Sequence, residues 1–515
     1  LKEIDMALAR ICLALLIVTA TAGCQNAATA PKAEAVQEIA WREGDVADAL
    51  AEAKESNKPV MLYWGAKWCP PCAQMKATLF KDPAFIAETR QFVPVYLDGD
   101  SQGAQRWGER FGISGYPTVI LLRADGSEIT RLSSGSTASR LADVLKLAAG
   151  RTTSTEALLA QAQSDPRALT ADDWQLLAAY DWQNDPKHFG DHARAGALLA
   201  KLAAAAPDPA LQRRFGLLAL TIAAEPGPDG NYTLSPAQQA SLTTILPPML
   251  ANAQEVTANR QELSYSTAPL VAALPDAAQR KALGGSLVAA LDRVFEDDTL
   301  SLTDRLAAVR ADVDLAKASD APVPPAVLAK VRARAAWADK TAKDAMQRQS
   351  VISDAAFLLH EAGDTPGAKK LVEAELKRSA SPYYYMLDLA SLAEDSGDKA
   401  GAISWARKAY ETSEGASTRV QWAIVYSSTV MRLTPEDKAA VEASAGAVVD
   451  ELGKSPDSYY QRTRVKVAAW GGKFRAWSEA HGGSAVLDRL EARMAQVCAR
   501  QGAEAKTCLN WARAA

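Results

Sequence analysis

The 515-residue sequence predicts an α/β domain near its N-terminus followed by a large all-α helical array. Two observations predict the α/β part: a nearly continuous apolar run, Val60–Trp64, leads straight into Gly65-Ala66-Lys67-Trp68-Cys69-Pro70-Pro71-Cys72, and a second such run follows at Phe92–Leu97. A third predicts the array: residues 151–515 are rich in Ala, Leu, Glu, Lys and Arg, with few β-branched runs. At roughly 150 residues per domain the length suggests about three structural units. Hydrophobic content of 48% and charged content of 23% exclude wholesale disorder. A net charge of −4 argues against nucleic acid as the main partner. Six cysteines are too few for a disulfide-stapled mini-protein. No run after residue 30 approaches the roughly 18 apolar residues of a membrane span.

The first 24 residues read as an export signal starting at Met6. Arg10 supplies positive charge, Ile11–Val18 a short apolar core, and Thr19–Gly23 small residues before Cys24. Thr21-Ala22-Gly23-Cys24 resembles the lipobox of bacterial lipoproteins, which implies acylation of Cys24 and a lipid anchor; the family usually has Leu where Thr21 stands. Ordinary cleavage after Ala22 is the alternative. The resemblance also implies an outer-membrane destination, since Gln25 and not Asp follows the cysteine. Residues 25–36, Ala-rich with Pro31, read as a tether. Either way the folded part is expected in the cell envelope, facing the periplasm.

Residues 37–150 are expected to form the α/β domain in the order α-β-α-β-α-β-β-α. Val46–Glu55 has helical apolar spacing and stops near Asn57-Lys58-Pro59. Strand Val60–Trp64 is followed by a helix over Ala73–Phe80, and Asp82-Pro83 is a helix start before strand Phe92–Leu97. Thr118–Arg123 and Glu128–Leu132 flank the turn Ala124-Asp125-Gly126-Ser127, and Leu141–Ala149 closes with a helix.

Trp68-Cys69-Pro70-Pro71-Cys72 between a strand and a helix, with Gly115-Tyr116-Pro117-Thr118 downstream, resembles the thioredoxin fold. Lys58-Pro59-Val60, Asp82-Pro83 and Phe111-Gly112-Ile113 are similar to exported thioredoxin-like proteins related to the C-terminal domain of the disulfide-reductant conduit. A cysteine at a helix N-terminus faces free N–H groups and the positive end of the helix dipole, which favour the thiolate. Cys69 is therefore the expected nucleophile and Cys72 the resolving thiol. Pro70 and Pro71 are tolerated in the first turn, where N–H groups have no helical partner, and they tune the redox potential by removing two donors. Lys67 adds a positive charge two residues before Cys69. The resemblance implies that Pro117 is the cis-proline against the active-site sulfur and that Tyr116 and Trp68 help position substrate. It also exposes a departure: the family commonly has a buried Asp six residues before the first cysteine, and Tyr63 stands there. No metal is expected, because a zinc site would need two further ligands and the chain has no second C-x-x-C. No cofactor is expected, the dithiol being itself the redox centre.

The region 151–515 has helix-start patterns at Thr170–Asp173, Ser235–Gln238, Ser301–Asp304 and Thr434–Asp437, and its clearest loop at Pro226–Asn231. Gly363-Asp364 and Gly397-Asp398, 34 residues apart, have the period of tetratricopeptide repeats around residues 351–415. Such arrays bind protein partners on a concave face; a cap that merely packs on the α/β domain is the alternative. Cys498 and Cys508 are expected to form a structural disulfide, a second redox pair being the other reading. His188 and His192 are read as surface histidines, and Tyr383-Tyr384-Tyr385 and Tyr459-Tyr460 as helix-packing aromatics. The expectation is a thiol–disulfide oxidoreductase of the bacterial envelope acting on protein thiols and disulfides, recycled by a membrane thiol-redox partner. The alternative is a non-enzymatic helical-repeat adaptor with a thioredoxin-fold docking module. A single C-x-x-C leaves reduction, oxidation and isomerisation all open.

Overall fold

The computed structural model describes residues 38–512, apart from residues 44, 102, 133–137, 225, 228–229, 319–320, 455–458 and 501–507. The signal, Cys24 and the tether therefore lie outside the described residues. So does part of the Pro226–Asn231 loop.

Helix α1 (Val46–Ser56) starts where Asp45 accepts a hydrogen bond from Ala47 N at 2.9 Å, and it ends at Asn57 in the left-handed region. Strand β1 (Val60–Gly65) leads through Ala66–Cys69 into α2 (Pro70–Ala77). Helix α2 begins at Pro70, earlier than the expected Ala73, because both prolines occupy first-turn positions that need no N–H. Two helices separate the first two strands, at the two helical segments expected over Ala73–Phe80 and from Asp82-Pro83, one more than the α-β-α-β order counts. Thr78 leaves helical geometry, a 3-10 turn spans Leu79–Lys81, and Asp82 caps a fresh helix α3 (Pro83–Thr89) by accepting from Phe85 N at 2.8 Å. Strand β2 (Val93–Asp98), helix α4 (Ala104–Phe111), strands β3 (Thr118–Leu122) and β4 (Glu128–Leu132) and helix α5 (Ala138–Ala149) follow.

The mixed sheet has the order β2-β1-β3-β4, with β1 parallel to β2 and the other pairs antiparallel. Side chains alternate across it, and both faces are covered. Val60, Leu62 and Trp64 pack beneath α1 and α4, while Met61 and Tyr63 face α2, α3 and α5. The second of these cores does not stop at α5. It continues through Leu158, Trp174, Leu177, Leu199 and Phe215, so the first helices beyond residue 150 share a hydrophobic core with the sheet.

Among the described residues the rest of the chain is mainly helical, and large cores succeed one another along the sequence. Capping boxes at Thr170/Asp173 and Ser235/Gln238 start two of its helices. Near residue 434 the expected cap is displaced: Thr434 bonds Val430 O to finish helix Ala416–Leu433, and Asp437 caps the next helix by accepting from Ala440 N at 3.0 Å. In the 34-residue period, Gly363 and Gly397 both adopt positive φ, and Asp364 and Asp398 cap the following helices identically, accepting from Gly367 N and Gly401 N. The array returns to the α/β domain: helix Ala345–Glu361 packs on α2, and helix Gln461–Ala480 packs on α4. Among the described residues no helix is long and apolar enough to cross a membrane.

Candidate active site

Cys69 and Cys72 are joined by a disulfide at the start of α2. Cys69 is the N-cap residue, in extended conformation, and its sulfur accepts from Cys72 N at 3.1 Å. The reason is local. Pro70 and Pro71 have no N–H, and Ala73 N is spent on Cys69 O at 3.0 Å, so Cys72 supplies the one first-turn backbone donor facing the sulfur. That donor and the helix dipole favour negative charge on Cys69 when the pair is reduced. Cys69 is 2% exposed and Cys72 fully buried.

The Tyr116–Pro117 bond is cis, and Tyr116 packs with Trp68 around the cysteine pair. The Tyr116 hydroxyl accepts from Gln105 Nε2 at 2.9 Å, and burial pushes its pKa up to about 12 against the opposing pull of Arg462. Lys67 is exposed, and its carbonyl accepts from Gln349 of the array. Tyr63 is 1% exposed, stacked on Tyr96 and edge-on to Phe80, and among the described residues its hydroxyl has no hydrogen-bond partner. Burial raises its pKa well above the ordinary tyrosine value, so it holds no charge that could take a proton from Cys72.

The array covers this site through residues that the motif does not reveal. Trp68 donates from Nε1 to Thr418 Oγ1 at 2.8 Å, stacks on Tyr384 and meets Trp422 edge-on at 4.9 Å. Thr418 in turn donates from Oγ1 to Asp100 Oδ2 at 2.6 Å and from its backbone N to Asp100 Oδ1 at 2.8 Å. Asp100 lies in the loop after β2, yet it caps helix Ala416–Leu433. The formal cap, Gly415, has no side chain and a φ of 91°, and a Cβ there would lie 2.2 Å from the Asp100 carboxylate. The Arg462 guanidinium closes the arrangement, lying 5.7 Å from the Trp68 ring centre and 5.2 Å from that of Tyr116. Gln74 to Ser301 at 2.9 Å and the Arg464–Glu109 ion pair extend the contact on either side. Of these array residues the sequence reading singled out Ser301, as a helix start, and Tyr384, as a packing aromatic. Tyr384 does pack, but against Trp68 of the redox motif, while its neighbours Tyr383 and Tyr385 are buried. Tyr459 is buried as well.

Elsewhere, Cys498 and Cys508 are bonded to each other and fully buried. Most of the segment between them lies outside the described residues. His188 is not a surface histidine. Its Nδ1 lies 2.5 Å from Asp185 Oδ2 in a buried network where Arg131 pairs with Glu128 at 2.7 Å and Asp185 at 3.5 Å. Burial disfavours its charge, but the Asp185 hydrogen bond prevails and holds its pKa above the ordinary value. Glu128, Asp185 and His188 converge closely enough to suit a cation, but the Arg131 guanidinium already supplies the positive charge there.

Residues 46–149 match the model of the thioredoxin-like domain. The thiol:disulfide interchange protein DsbD of Vibrio vulnificus (strain CMCP6) is 35% identical over 83 residues, 16% of this chain and 14% of that protein. Thioredoxin H4 of Arabidopsis thaliana is 33% identical over 75 residues, 15% of this chain and 60% of that protein. The solution structure of a thioredoxin from Thermus thermophilus aligns with 21% of this chain and 86% of its own at 26% identity, with a TM-score of 0.19. The chain thus spans 14% of the length of the DsbD protein it matches.

Proposed function

We propose that this chain is a thiol–disulfide oxidoreductase of the bacterial cell envelope, with Cys69 as nucleophile and Cys72 as resolving thiol, acting on protein disulfides. The observation that carries this reading is the Cys69 sulfur at the cap of α2, held by Cys72 N–H beside the cis Tyr116–Pro117 loop, in a domain that matches the thioredoxin-like model. With the pair reduced, the Cys69 thiolate attacks one sulfur of a substrate disulfide; that bond breaks, one substrate thiolate leaves, and a mixed disulfide forms. Cys72, as thiolate, then attacks the Cys69 sulfur, releasing the second substrate thiolate and leaving Cys69–Cys72 oxidised. Two electrons pass to the substrate. With Tyr63 neutral and apolar-packed, the Cys72 proton leaves to water or to the departing substrate sulfur. Run backwards, the same steps oxidise a dithiol.

The bonded Cys69–Cys72 pair is the electron-accepting state, and a membrane thiol-redox partner would return it to the dithiol. Periplasmic placement fits the signal-like N-terminus and the likeness to DsbD. Lipidation at Cys24 would tether the domain to the membrane. Because the array covers Trp68 and leaves Cys69 nearly inaccessible, exchange with a folded protein requires the contact through Thr418 and Arg462 to loosen. Part of the helical region therefore controls access, and the 34-residue helix pairs, TPR-like in spacing, would receive a protein partner.

One observation favours a second reading, a non-enzymatic adaptor: the face of the domain that would meet substrate is filled by the chain's own array. Equilibration with glutathione separates the two. A Cys69–Cys72 potential near about −250 mV or lower identifies a reductant, and one near about −120 to −180 mV a disulfide donor or isomerase. A pair that fails to equilibrate in the folded chain supports the adaptor.

A further inference from the structure

A cavity of about 430 Å³ opens beside the redox site, between the segment Glu109–Ser114 that leads into the cis-proline loop and helix Gln461–Ala480 of the array. Five basic side chains line it, Arg110, Lys187, Arg462, Arg464 and Lys466, against one carboxylate, Glu109. The chain as a whole is acidic, so this concentration runs against its composition. Arg464 is paired with Glu109 and Lys187 with Glu156. Among the described residues no carboxylate pairs with Arg110, Arg462 or Lys466; Arg110 lies over the rings of Trp107 and Phe111, and Arg462 bonds Gln421 and leaves Nε unpartnered. Arg462 and Lys466 stand one helical turn apart on the same face, where like charges repel. Burial draws both below their ordinary pKa values, and at Lys466 the charge of Arg462 adds to it. Such cations cost stability unless something else uses them.

The cavity also has an apolar side. Val465 is 59% exposed at its rim, beside Pro186. Its position relative to the chemistry follows from Ser114, which lines it and lies two residues, about 7 Å of extended chain, before Tyr116.

We infer that this cavity binds an acidic segment of the disulfide-bearing partner, with a carboxylate two or three residues from the reacting cysteine held by Arg462 and Lys466. The inference rests on the oxidoreductase reading and gives it a substrate class: proteins whose exchanging cysteine has acidic neighbours. It also links recognition to access. Arg462 lies over the rings of Trp68 and Tyr116, so a carboxylate that draws its guanidinium into the cavity uncovers the residues packed on Cys69.

The test uses two disulfide-bonded peptides, one with Glu at both positions two and three residues from cysteine and one with Gln there. The reduced full chain should exchange with the Glu peptide about ten-fold faster in kcat/KM at 20 mM salt, as two partly screened ion pairs allow, and the ratio should fall towards one by 500 mM. In Lys466→Glu the ratio should drop below about two-fold. The salt titration of the unmodified chain reads the same charges without relying on that variant to fold. Equal rates for both peptides at low salt, or a ratio untouched by Lys466→Glu in a chain with unchanged circular dichroism, overturns the inference and leaves the oxidoreductase reading standing. Binding of a fluorescent Glu peptide with Ser in place of Cys to the oxidised chain involves no exchange step. Tighter binding than its Gln counterpart supports the cavity even if no disulfide is ever exchanged, and that result would defeat the oxidoreductase reading alone.

Discussion

Replacing Thr418 by Val should open the redox site. The substitution keeps the side-chain shape but removes the hydroxyl that accepts from Trp68 Nε1 at 2.8 Å and donates to Asp100 Oδ2 at 2.6 Å. A neutral hydrogen bond contributes about 1 kcal/mol and one to a carboxylate about 1.5–3 kcal/mol, so the covered state should lose about 2.5–4 kcal/mol relative to an uncovered one. At 1.4 kcal/mol per factor of ten, even the lower figure raises the uncovered population about 60-fold. The backbone bond from Thr418 N to Asp100 remains, so the cap of helix Ala416–Leu433 survives. The assay is alkylation of the reduced chain by a bulky polyethylene-glycol maleimide, compared with iodoacetamide. Where opening is fast, the bulky reagent reports the uncovered population. Its rate should rise by tens of fold in Thr418→Val and stay near the wild-type value in Thr418→Ser, while the small reagent changes less. Equal maleimide rates in wild type and Thr418→Val, both as fast as iodoacetamide, would refute occlusion by the array.

Three other outcomes are expected. Asp388 accepts from Ser353 in the array, and burial raises its pKa to about 7, above its unfolded value; folding therefore binds a proton there, and stability falls as pH rises from about 4 to 7, then levels. Asp388→Asn should remove the upper part of that slope in urea titrations at pH 5 and 7.5. Gly415→Ala places a Cβ 2.2 Å from the Asp100 carboxylate at a φ of 91°, so it should cost about 1–3 kcal/mol by denaturant unfolding and speed maleimide alkylation as well. Cys508→Ser opens the disulfide to Cys498 and should cost roughly 2–3 kcal/mol, with the exchange rate at Cys69–Cys72 unchanged in the folded chain; a slowed exchange there would assign the C-terminal pair a redox part.

The α/β elements were legible because local signals agree with the fold. Val60–Trp64 is apolar on both faces, Asp45 and Asp82 cap, and Pro70 and Pro71 stand where a helix begins. The redox pair was legible for the same reason: its chemistry lies within four consecutive residues. The cover over it was not. Asp100 and Thr418 are 318 positions apart, and each looks like an ordinary loop or helix residue. Nothing periodic links Trp68 to Tyr384, Trp422 or Arg462. The one local trace is Gly415, a helix start without a capping side chain, whose partner is supplied from elsewhere in the chain. His188 was misread because Pro186 and Gly190 suggest an exposed loop, whereas Arg131 on β4 draws Asp185, and His188 with it, into the interior.

The most direct measurement is to incubate reduced Cys72→Ser with a disulfide-bonded protein and look for a covalent adduct by non-reducing mass spectrometry. With Cys69 attacking and no resolving thiol, the mixed disulfide should accumulate at Cys69 and vanish in Cys69→Ser/Cys72→Ser. No adduct at Cys69 in a folded Cys72→Ser chain, including one that also carries Thr418→Val, would contradict a nucleophilic Cys69 and leave the adaptor reading.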